Sequence, residues 1–288
     1  MTRLAVIGTG RIGGEVAFLA GALGIAQDLV LLDENEPLLT AQVLDLLHTG
    51  WDIPVSTDPA DVRDADLCVY AAGNPRSPLV KTRADLLGVN LIIAEACLPH
   101  ARRFGGLWVT VTNPADVLNY FFQKKGGLDR RRCIGFGGQL DSARFTLALR
   151  GDGIRAEGTV LGEHGEHQVP VFSRLPAPVE IPEREQILRS LRTSSMEVIR
   201  GKGGTVFGPA VHIAALLRAL LDGVDEPVPC SCVVEGEYGL RGCSLGVPAL
   251  LGKEGVREIQ EWPLDPWERE QLERAGGFMK KICGSFDG

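Results

Sequence analysis

The stretch LAVIGTGRIG, residues 4–13, decides the fold of this chain. Its first four residues are apolar and run into a glycine, a pattern typical of a buried β-strand. Apolar residues then recur at helical spacing until Gly24, which predicts an α-helix. Between them, Gly8, Gly10 and Gly13 form the pattern G-x-G-x-x-G, which permits a tight turn and a close approach of a ligand to the backbone. The stretch therefore predicts a strand–turn–helix unit whose helix N-terminus can bind a phosphate group.

An acidic residue stands where a dinucleotide site requires one. The second predicted strand, 29–32, ends at Asp33, about 20 residues beyond the last glycine of the loop. A carboxylate at that strand end can accept hydrogen bonds from the adenosine ribose and repel a 2′-phosphate, and Glu34 adds to this repulsion. The motif therefore favours NAD over NADP as the cofactor.

Strands and helices alternate through the rest of the first half. Further strands are predicted at 66–72, 107–112 and 133–136. A helix is predicted at 83–98, ended by Pro99, and Asn113 is predicted to be the N-cap of another helix with Pro114 at its first position. This alternation implies right-handed crossovers, so we predict an α/β fold with a Rossmann-type, doubly wound parallel sheet.

The second half has a different pattern. Helical segments are predicted at 140–150 and within 183–222, and a last helix begins at Asp265. Alternating apolar and polar runs at 230–237, 243–251 and 256–262 are typical of antiparallel strands. We therefore predict two domains, a cofactor-binding Rossmann domain at 1–137 and an α+β domain at 138–288.

Charge and composition exclude several classes of protein. The net charge of −7 disfavours a nucleic-acid partner. No apolar run reaches the roughly 18 residues that span a bilayer, and the N-terminus leads directly into a strand, so we expect no membrane partner and a cytoplasmic location. The seven cysteines lie among apolar neighbours and are predicted to be buried free thiols, and no metal site is predicted.

Two segments of the second half carry residues with possible chemistry. Asp141 and Arg144 share one face of the predicted helix, a spacing that taken alone is typical of a surface ion pair. His164 lies between Gly162 and Gly165, where it can be exposed to a cleft, and the ordinary pKa of histidine suits proton exchange. A single histidine is nevertheless more often structural than catalytic.

These segments resemble the lactate/malate dehydrogenase family along the whole chain, and most closely its lactate-dehydrogenase-like malate dehydrogenases. The resemblance implies a Rossmann domain followed by an α+β substrate domain. It rests on GTGRIG (8–13), Asp33, AAG (71–73), VTNPAD (111–116), GFGGQLDSARF (135–145), LGEHGE (161–166), GGTVFGPA (203–210), EGEYGL (235–240) and LGVPALLG (245–252).

The resemblance assigns roles to individual residues. His164 matches the catalytic base and Asp141 its carboxylate partner, while Arg144 matches the clamp on the substrate carboxylate. Arg83 matches the arginine of the closing loop, and Asn113 matches a residue that contacts both substrate and cofactor. The matching cofactor residues are Gly8, Gly10, Arg11, Ile12, Gly13, Asp33, Ala72, Gly73, Asn90, Val111 and Asn113.

The substrate selector lies in the loop after residue 73. Arg76 matches an arginine that in malate dehydrogenases pairs with the second carboxylate of the substrate, where lactate dehydrogenases have glutamine. The loop at 77–82 is one residue longer than the family pattern, so an alignment anchored on Arg83 places Ser77 at the selector position instead. The strand-side anchor favours Arg76, and hence malate and oxaloacetate.

The sequence leaves other functions open. A lactate dehydrogenase or another 2-hydroxy acid dehydrogenase is the main alternative, and a non-catalytic NAD-binding protein is an alternative of a different class. An NAD-dependent glycosidase would need a metal site that LGEHGE does not resemble. The expected partner is a small 2-hydroxy or 2-oxo acid, and the resemblance implies a homodimer or homotetramer in which helices such as 204–222 pack against another subunit.

Overall fold

A computed structural model describes residues 1–74 and 83–287. In the first half, the sequence predicts five of the six strands and three of the four helices, but neither the second helix nor the third strand. They are β1 (Arg3–Ile7), α1 (Arg11–Ala22), β2 (Asp28–Leu32), α2 (Glu36–Leu47), β3 (Val55–Ser56), β4 (Leu67–Tyr70), α3 (Arg83–Ala101), β5 (Leu107–Thr110), α4 (Ala115–Gly126) and β6 (Cys133–Gly135).

These six strands form a parallel sheet in the order β3-β2-β1-β4-β5-β6. Helices cover it, so Leu4, Ala5 and Val6 of β1 are fully buried, as the continuous apolar run requires. The strand order reverses between β1 and β4, and such reversals open a crevice at the carboxyl ends of the strands. The predicted doubly wound Rossmann sheet is therefore confirmed, with its crevice beside the glycine loop.

The second half adds the helices and antiparallel strands that the sequence predicts. The strands β9 (Val228–Glu235), β10 (Arg241–Gly252) and β11 (Gly255–Ile259) pair antiparallel in chain order. Because β9 also pairs antiparallel with β6, the described strands form one continuous 11-stranded sheet. The elements are α5 (Gly138–Gly151), β7 (Val160–Gly162), β8 (Gln168–Pro170), α6 (Ile181–Lys202), α7 (Phe207–Asp222), β9 (Val228–Glu235), β10 (Arg241–Gly252), β11 (Gly255–Ile259) and α8 (Pro266–Cys283).

Local chemistry explains how the last helix begins. The Asp265 side chain accepts a hydrogen bond from the backbone N–H of Glu268, and the Glu268 side chain accepts one from the N–H of Asp265. This capping box, with Pro266 at the first helical position, is the predicted start signal. Glu268 is fully buried because it also accepts hydrogen bonds from the backbone N–H and the hydroxyl of Ser173.

Two local predictions are wrong. Helix α3 continues to Ala101 instead of ending before Pro99, because a proline near the end of a helix removes only one hydrogen bond and its φ is compatible with the helix. Helix α4 begins at Ala115 with Pro114 as its N-cap residue, so Asn113 is not the cap. Both errors concern helix ends, where one residue decides the boundary.

Candidate active site

The glycine loop between β1 and α1 is held in close contact with the end of β4. Gly8 has a φ of +92°, and a side chain on it would overlap the backbone of Ala72. A side chain on Gly13 would overlap the carbonyl oxygen of Gly8. The backbone N–H of Gly8 donates to the carbonyl of Leu32, at the end of β2, over 2.7 Å. Gly8 and Gly13 are therefore required by the packing of the protein itself.

Gly10 differs from the other two glycines of the motif. No heavy atom of the described residues lies within 4 Å of the Cβ position on Gly10. Gly10 is also the N-cap residue of α1, and it offers no side chain to the free N–H groups of the first turn. Open space in front of a helix N-terminus fits a pyrophosphate, which can accept hydrogen bonds from those N–H groups.

Asp33 is engaged with the same loop. Its Oδ2 accepts hydrogen bonds from the backbone N–H of Thr9 over 2.7 Å and from the Thr9 hydroxyl over 3.2 Å. The side-chain amide of Gln42 donates to the Thr9 carbonyl over 2.9 Å. Its Oδ1 accepts from the backbone N–H of Asn35 over 2.9 Å. Asp33 thus positions the loop, and Oδ1 retains a lone pair that can accept from a ribose. The sequence analysis missed the supporting roles of Thr9 and Gln42.

Asn90 connects the loops that follow β4 and β5. Its Oδ1 accepts from the backbone N–H of Asn74 over 2.7 Å, and its Nδ2 donates to the carbonyls of Asn74 and Asn113 over 3.2 and 2.7 Å. A side chain on Gly73 would meet Asn90 and Thr112. The fully buried Asn90 amide therefore holds together the backbone that carries the predicted cofactor residues Ala72, Gly73, Val111 and Asn113.

Arg11 connects the glycine loop to the second half of the chain. Its Nη1 donates to the carbonyl of Gly203 over 3.0 Å. Gly203 is the C-cap of α6, in the left-handed conformation, and a cation is favourable at the negative end of a helix. Ile12, the next predicted cofactor residue, is half-buried against the core.

His164, Asp141 and Arg144 are in contact in the second half of the chain. His164 lies on the loop between β7 and β8, while Asp141 and Arg144 lie one turn apart on α5. Nδ1 of His164 hydrogen-bonds to Oδ2 of Asp141 over 2.6 Å, and Nη1 of Arg144 donates to Oδ1 of Asp141 over 3.1 Å. The Asp141 side chain is 2% exposed, against 15% for His164 and 19% for Arg144. The pair of charges on α5 is therefore not a surface ion pair.

Opposing effects set the pKa values of this group. Burial lowers the pKa of His164, but the charges of Asp141 and Asp116 outweigh burial and the repulsion from Arg144, so the pKa lies above its usual value. Burial raises the pKa of Asp141, but His164, Arg144 and a hydrogen bond from Gln168 outweigh it and lower that pKa. An ionised Asp141 keeps a proton on Nδ1 of His164 and leaves Nε2 to exchange a proton with a ligand.

The backbone around His164 is shaped to hold the ring. Gly137 has a φ of +151°, which other residues rarely adopt, and a side chain there would overlap the His164 ring. The Oε2 atom of buried Glu163 accepts from the backbone N–H groups of Glu166 and His167 over 2.8 and 2.9 Å. Hydrogen bonds within the loop thus hold its shape, and the His164 ring packs against the chain between β6 and α5.

The predicted substrate residues fall in three different situations. Arg144 lies beside Asp141 as described. Asn113 is exposed at the end of β5, and its carbonyl accepts from Asn90. Arg76 lies outside the described residues, and α3 begins at Arg83, whose side chain also lies outside them.

Sequence analysis missed three residues around the histidine. Gln168 hydrogen-bonds to Asp141, and Asp116 accepts a hydrogen bond from the backbone N–H of His164 over 2.7 Å. His212 of α7 lies close enough to Arg144 that, together with burial, the arginine charge lowers its pKa. Asp116 stands in the VTNPAD motif at 111–116, but the sequence analysis assigns it no role in the site.

Comparison with known proteins accounts for both halves of this site. Residues 2–135 match the model of the lactate/malate dehydrogenase NAD-binding domain, and residues 139–285 match that of the lactate/malate dehydrogenase alpha/beta C-terminal domain. The chain belongs to the lactate/malate dehydrogenase family. The predicted resemblance is therefore confirmed, and with it the Rossmann fold followed by a second domain.

Similar proteins include both substrate classes of this family. The chain is 37% identical to a malate dehydrogenase of Halobacterium salinarum, over 100% of the chain and 99% of the relative. It is 33% identical to L-lactate dehydrogenase 1 of Listeria innocua, with coverage of 97% and 96%. The structure of malate dehydrogenase from Archaeoglobus fulgidus in complex with NADH superposes with a TM-score of 0.89, 30% identity and full coverage of both chains.

Family membership determines the cofactor and the class of reaction. The chain is an oxidoreductase that uses NAD, and its family acts on small hydroxy and oxo acids. Which of these acids it uses does not follow, because malate and lactate dehydrogenases are similar to it at nearly the same identity.

The described part of the chain bears on two further features, a membrane-spanning helix and a metal site. No single helix there is both long and apolar enough to cross a membrane, although α6 and α7, bent by 119°, satisfy length and composition when taken as a pair. Across the same residues, no group of three or more His, Cys, Asp or Glu is placed to hold a metal ion.

Proposed function

We propose that this protein is an NAD-dependent malate dehydrogenase, in which His164 exchanges the proton of the substrate hydroxyl. The observation that carries the proposal is the contact series from Arg144 through Asp141 to His164. The loop that carries His164 is also hydrogen-bonded to Asp116, which follows β5. The first half supports it through the open helix N-terminus at Gly10. When bound there, NAD supplies the hydride acceptor for malate oxidation and, as NADH, the donor for the reverse reaction.

The side chains of the site divide the work of substrate oxidation. Nε2 of His164 takes the hydroxyl proton as the substrate carbon loses hydride, and the charges of Asp141 and Asp116 stabilise the resulting imidazolium. Arg144 uses one N–H on Asp141 and keeps further donors for the C1 carboxylate of the substrate. In the reverse direction the same histidine returns the proton to the carbonyl oxygen.

The remaining predicted residues complete the proposed site. Arg83, the first residue of α3, is proposed to polarise the reacting carbonyl, and Asn113 to contact substrate and cofactor. The proposed cofactor residues are those predicted from the motifs, with Asp33 on the adenosine ribose. We also keep the division into domains at 1–137 and 138–288.

Malate is favoured over lactate by the sequence of the substrate loop. Asn74-Pro75-Arg76 keeps its spacing from the end of β4, which puts an arginine at the selector position. An arginine facing the methyl group of pyruvate would be an unpaired charge, which is costly, whereas the second carboxylate of oxaloacetate pairs with it. The alternative, a lactate dehydrogenase, is decided by the assay below.

The test is NADH oxidation with oxaloacetate and with pyruvate under the same conditions. We expect a higher kcat/KM with oxaloacetate, and we expect Arg76→Gln to reduce that preference by about 2–5 kcal/mol, the usual cost of breaking a desolvated charge pair. Ser77→Ala is the matched control and is expected to leave the preference unchanged.

A wild-type preference for pyruvate would contradict the malate assignment, and a preference altered by Ser77→Ala alone would move the selector to position 77. NADH binding without turnover of either acid would support a non-catalytic protein.

A second prediction concerns the pH dependence of oxo acid reduction. Reduction requires protonated His164, whose pKa is raised by Asp141 and Asp116. The value of kcat/KM for the oxo acid should therefore be steady on the acidic side and fall as the pH rises through that raised pKa. Because the proton is bound more strongly than by ordinary histidine, the fall should come at higher pH than for an unperturbed imidazole. A midpoint at or below the ordinary histidine pKa would contradict the proposed charge arrangement.

Assembly into a homodimer or homotetramer is part of the proposal. Phe207 and Val211, one turn apart on α7, are 69% and 54% exposed, which is unusual for large apolar side chains on one helix face. Sedimentation analysis of the purified protein tests this. The cytoplasmic location stays a prediction, and a malate dehydrogenase activity would fit a role in the tricarboxylic acid cycle, which we propose with it.

A further inference from the structure

A second buried carboxylate contacts the candidate catalytic histidine. Asp116 lies in the first turn of α4 and is 3% exposed. Its Oδ2 accepts a hydrogen bond from the backbone N–H of His164 over 2.7 Å, across 48 residues of sequence. The acid belongs to the cofactor-binding half of the chain and the histidine to the other half. Nothing in the catalytic contact series of Arg144, Asp141 and His164 requires this bond.

The two carboxylates hold different parts of His164. Asp141 binds the ring at Nδ1, which fixes the rotation of the side chain, whereas Asp116 binds the backbone amide, which fixes the point from which the side chain projects. Asp141 lies on α5, in the same half as the histidine. Asp116 follows β5, three residues after Asn113. Its hydrogen bond therefore fixes the position of the histidine relative to the edge of the cofactor crevice.

A buried polar network keeps Asp116 in place. The Ser231 hydroxyl hydrogen-bonds to Asp116, and it also lies 2.8 Å from the Ser244 hydroxyl. Nδ2 of Asn119 donates to the Ser244 hydroxyl over 2.9 Å. Ser231, Ser244 and Asn119 are each at most 2% exposed. The Asp116 carboxylate therefore has a second polar neighbour, Ser231, which is itself held by Ser244 within the buried network.

The charged and titratable groups around Asp116 favour a role that concerns the histidine. Burial raises its pKa, with Asp141 acting in the same direction, while the hydrogen bond from Ser231 and the nearby His164 oppose the rise. The Cys243 and Cys283 thiols also face it, and their pKa values are raised mainly by burial and in part by the charges around them. A buried carboxylate is costly unless hydrogen bonds compensate it. The N–H of His164 and the N-terminus of α4 provide that compensation.

We propose that Asp116 is a positioning residue, which fixes the backbone of His164 to the cofactor-binding half so that the imidazole meets the substrate in line with the cofactor crevice. The inference rests on the proposed function of His164 as the proton-exchanging group. It assigns Asp116 no contact with substrate or cofactor.

The test compares three variants by steady-state kinetics and NADH binding. Asp116→Ala should lower kcat about 10–100-fold, the usual result of a displacement of about 1 Å in a catalytic group, with the Kd for NADH within about twofold. Asp116→Asn should recover most of kcat, because its oxygen still accepts from the His164 N–H and its amide can donate to Ser231. The hydrogen bond between the Ser231 and Ser244 hydroxyls can then reverse its direction, because either hydroxyl can be the donor. Ser244→Ala perturbs the same network without touching Asp116 and is expected to retain wild-type kcat.

A second readout separates positioning from a purely structural role. The His164 ring titration, followed by nitrogen NMR and assigned by its loss in His164→Gln, should move to lower pH in both Asp116→Ala and Asp116→Asn, because both lose the charge that raises its pKa. It should move further in Asp116→Ala, which also loses the hydrogen bond to the His164 N–H, and it should not move in Ser244→Ala. A kcat within twofold of wild type in Asp116→Ala would overturn the proposal. The proposal would also be overturned if Asp116→Ala lost kcat together with NADH affinity and Tm, while its His164 titration stayed unchanged and Asp116→Asn recovered no kcat. If Asp116→Ala does not fold, Asp116→Ser, too short to reach the His164 N–H, replaces it.

The NMR titration also separates this proposal from the proposed function. If the protein turns over no 2-oxo acid, the function fails, but the difference between the His164 titrations of Asp116→Ala and Asp116→Asn still shows whether Asp116 positions the ring. If turnover is normal and the titration does not move, only the role of Asp116 is wrong.

Discussion

Replacement of Asp141 by asparagine is expected to lower kcat by about 10³–10⁴-fold, while NADH still binds within about twofold of the wild-type Kd. In the wild-type protein Oδ2 of Asp141 accepts from Nδ1 of His164 over 2.6 Å, and this bond fixes the tautomer in which Nε2 is free. An amide at the same place can donate to Nδ1 and so stabilise the opposite tautomer. It also removes the negative charge that stabilises the imidazolium and that pairs with Arg144.

The control for this prediction is Asp28→Asn, the same chemical change at another aspartate paired with an arginine. Asp28 accepts from Nε of Arg3 over 2.7 Å at the edge of β2, and nothing in the site depends on it. We expect kcat of this variant to match the wild type. A loss of less than tenfold in Asp141→Asn would contradict the assigned role. An equal loss of NADH binding would show that the substitution disturbs the fold instead of the chemistry.

Gly10→Ala is expected to weaken NADH binding by about 100-fold or more with little change in the free energy of unfolding. Gly10 has φ −65° and ψ −158°, which alanine adopts without strain, and no atom of the described residues lies within 4 Å of the new methyl group. The apoprotein should therefore tolerate the methyl, which instead occupies the space where the pyrophosphate approaches the N-terminus of α1. Titration by NADH fluorescence and thermal unfolding of the apoprotein measure the two effects separately.

Two other glycines provide the comparison for Gly10→Ala. Gly277, on the exposed face of α8, also has open space at its Cβ position, so Gly277→Ala should leave NADH binding unchanged. Gly13→Ala should instead destabilise the protein, because its methyl overlaps the carbonyl oxygen of Gly8. Unchanged NADH affinity in Gly10→Ala would show that the cofactor does not approach the loop at this residue.

Much of the cofactor half could be predicted because its signals are local. An apolar run, a glycine pattern and an acid at the next strand end each lie within a few residues of the element that they specify. The error at Pro99 arose because a proline in the last turn fits the local helix geometry. The error at Asn113 arose where the chain has two acceptable helix starts and a distant contact is made by one of the residues concerned. For Asn113 the competing contact is the hydrogen bond from Asn90, 23 residues away, to its carbonyl.

The catalytic group could be predicted only through resemblance. Taken alone, Asp141 and Arg144 read as a surface ion pair, and the structure buries Asp141 beneath His164 and Gln168. Burial of that carboxylate depends on β8 and on the loop before it, which no periodicity within α5 reveals. Asp116 was visible in a motif, but its partner lies in the other half of the chain.

The sequence by itself determined the doubly wound sheet, the glycine loop and the identity of the chemical groups, because hydrophobic period, turn residues and side-chain type are local properties. Only the tertiary structure decided that β6 pairs with β9, which joins both halves into one sheet, and that two carboxylates from opposite halves hold one histidine. The physical reason is that these contacts gain their energy from burial and hydrogen bonding between residues far apart along the chain. Such energies depend on which surfaces the completed fold brings together.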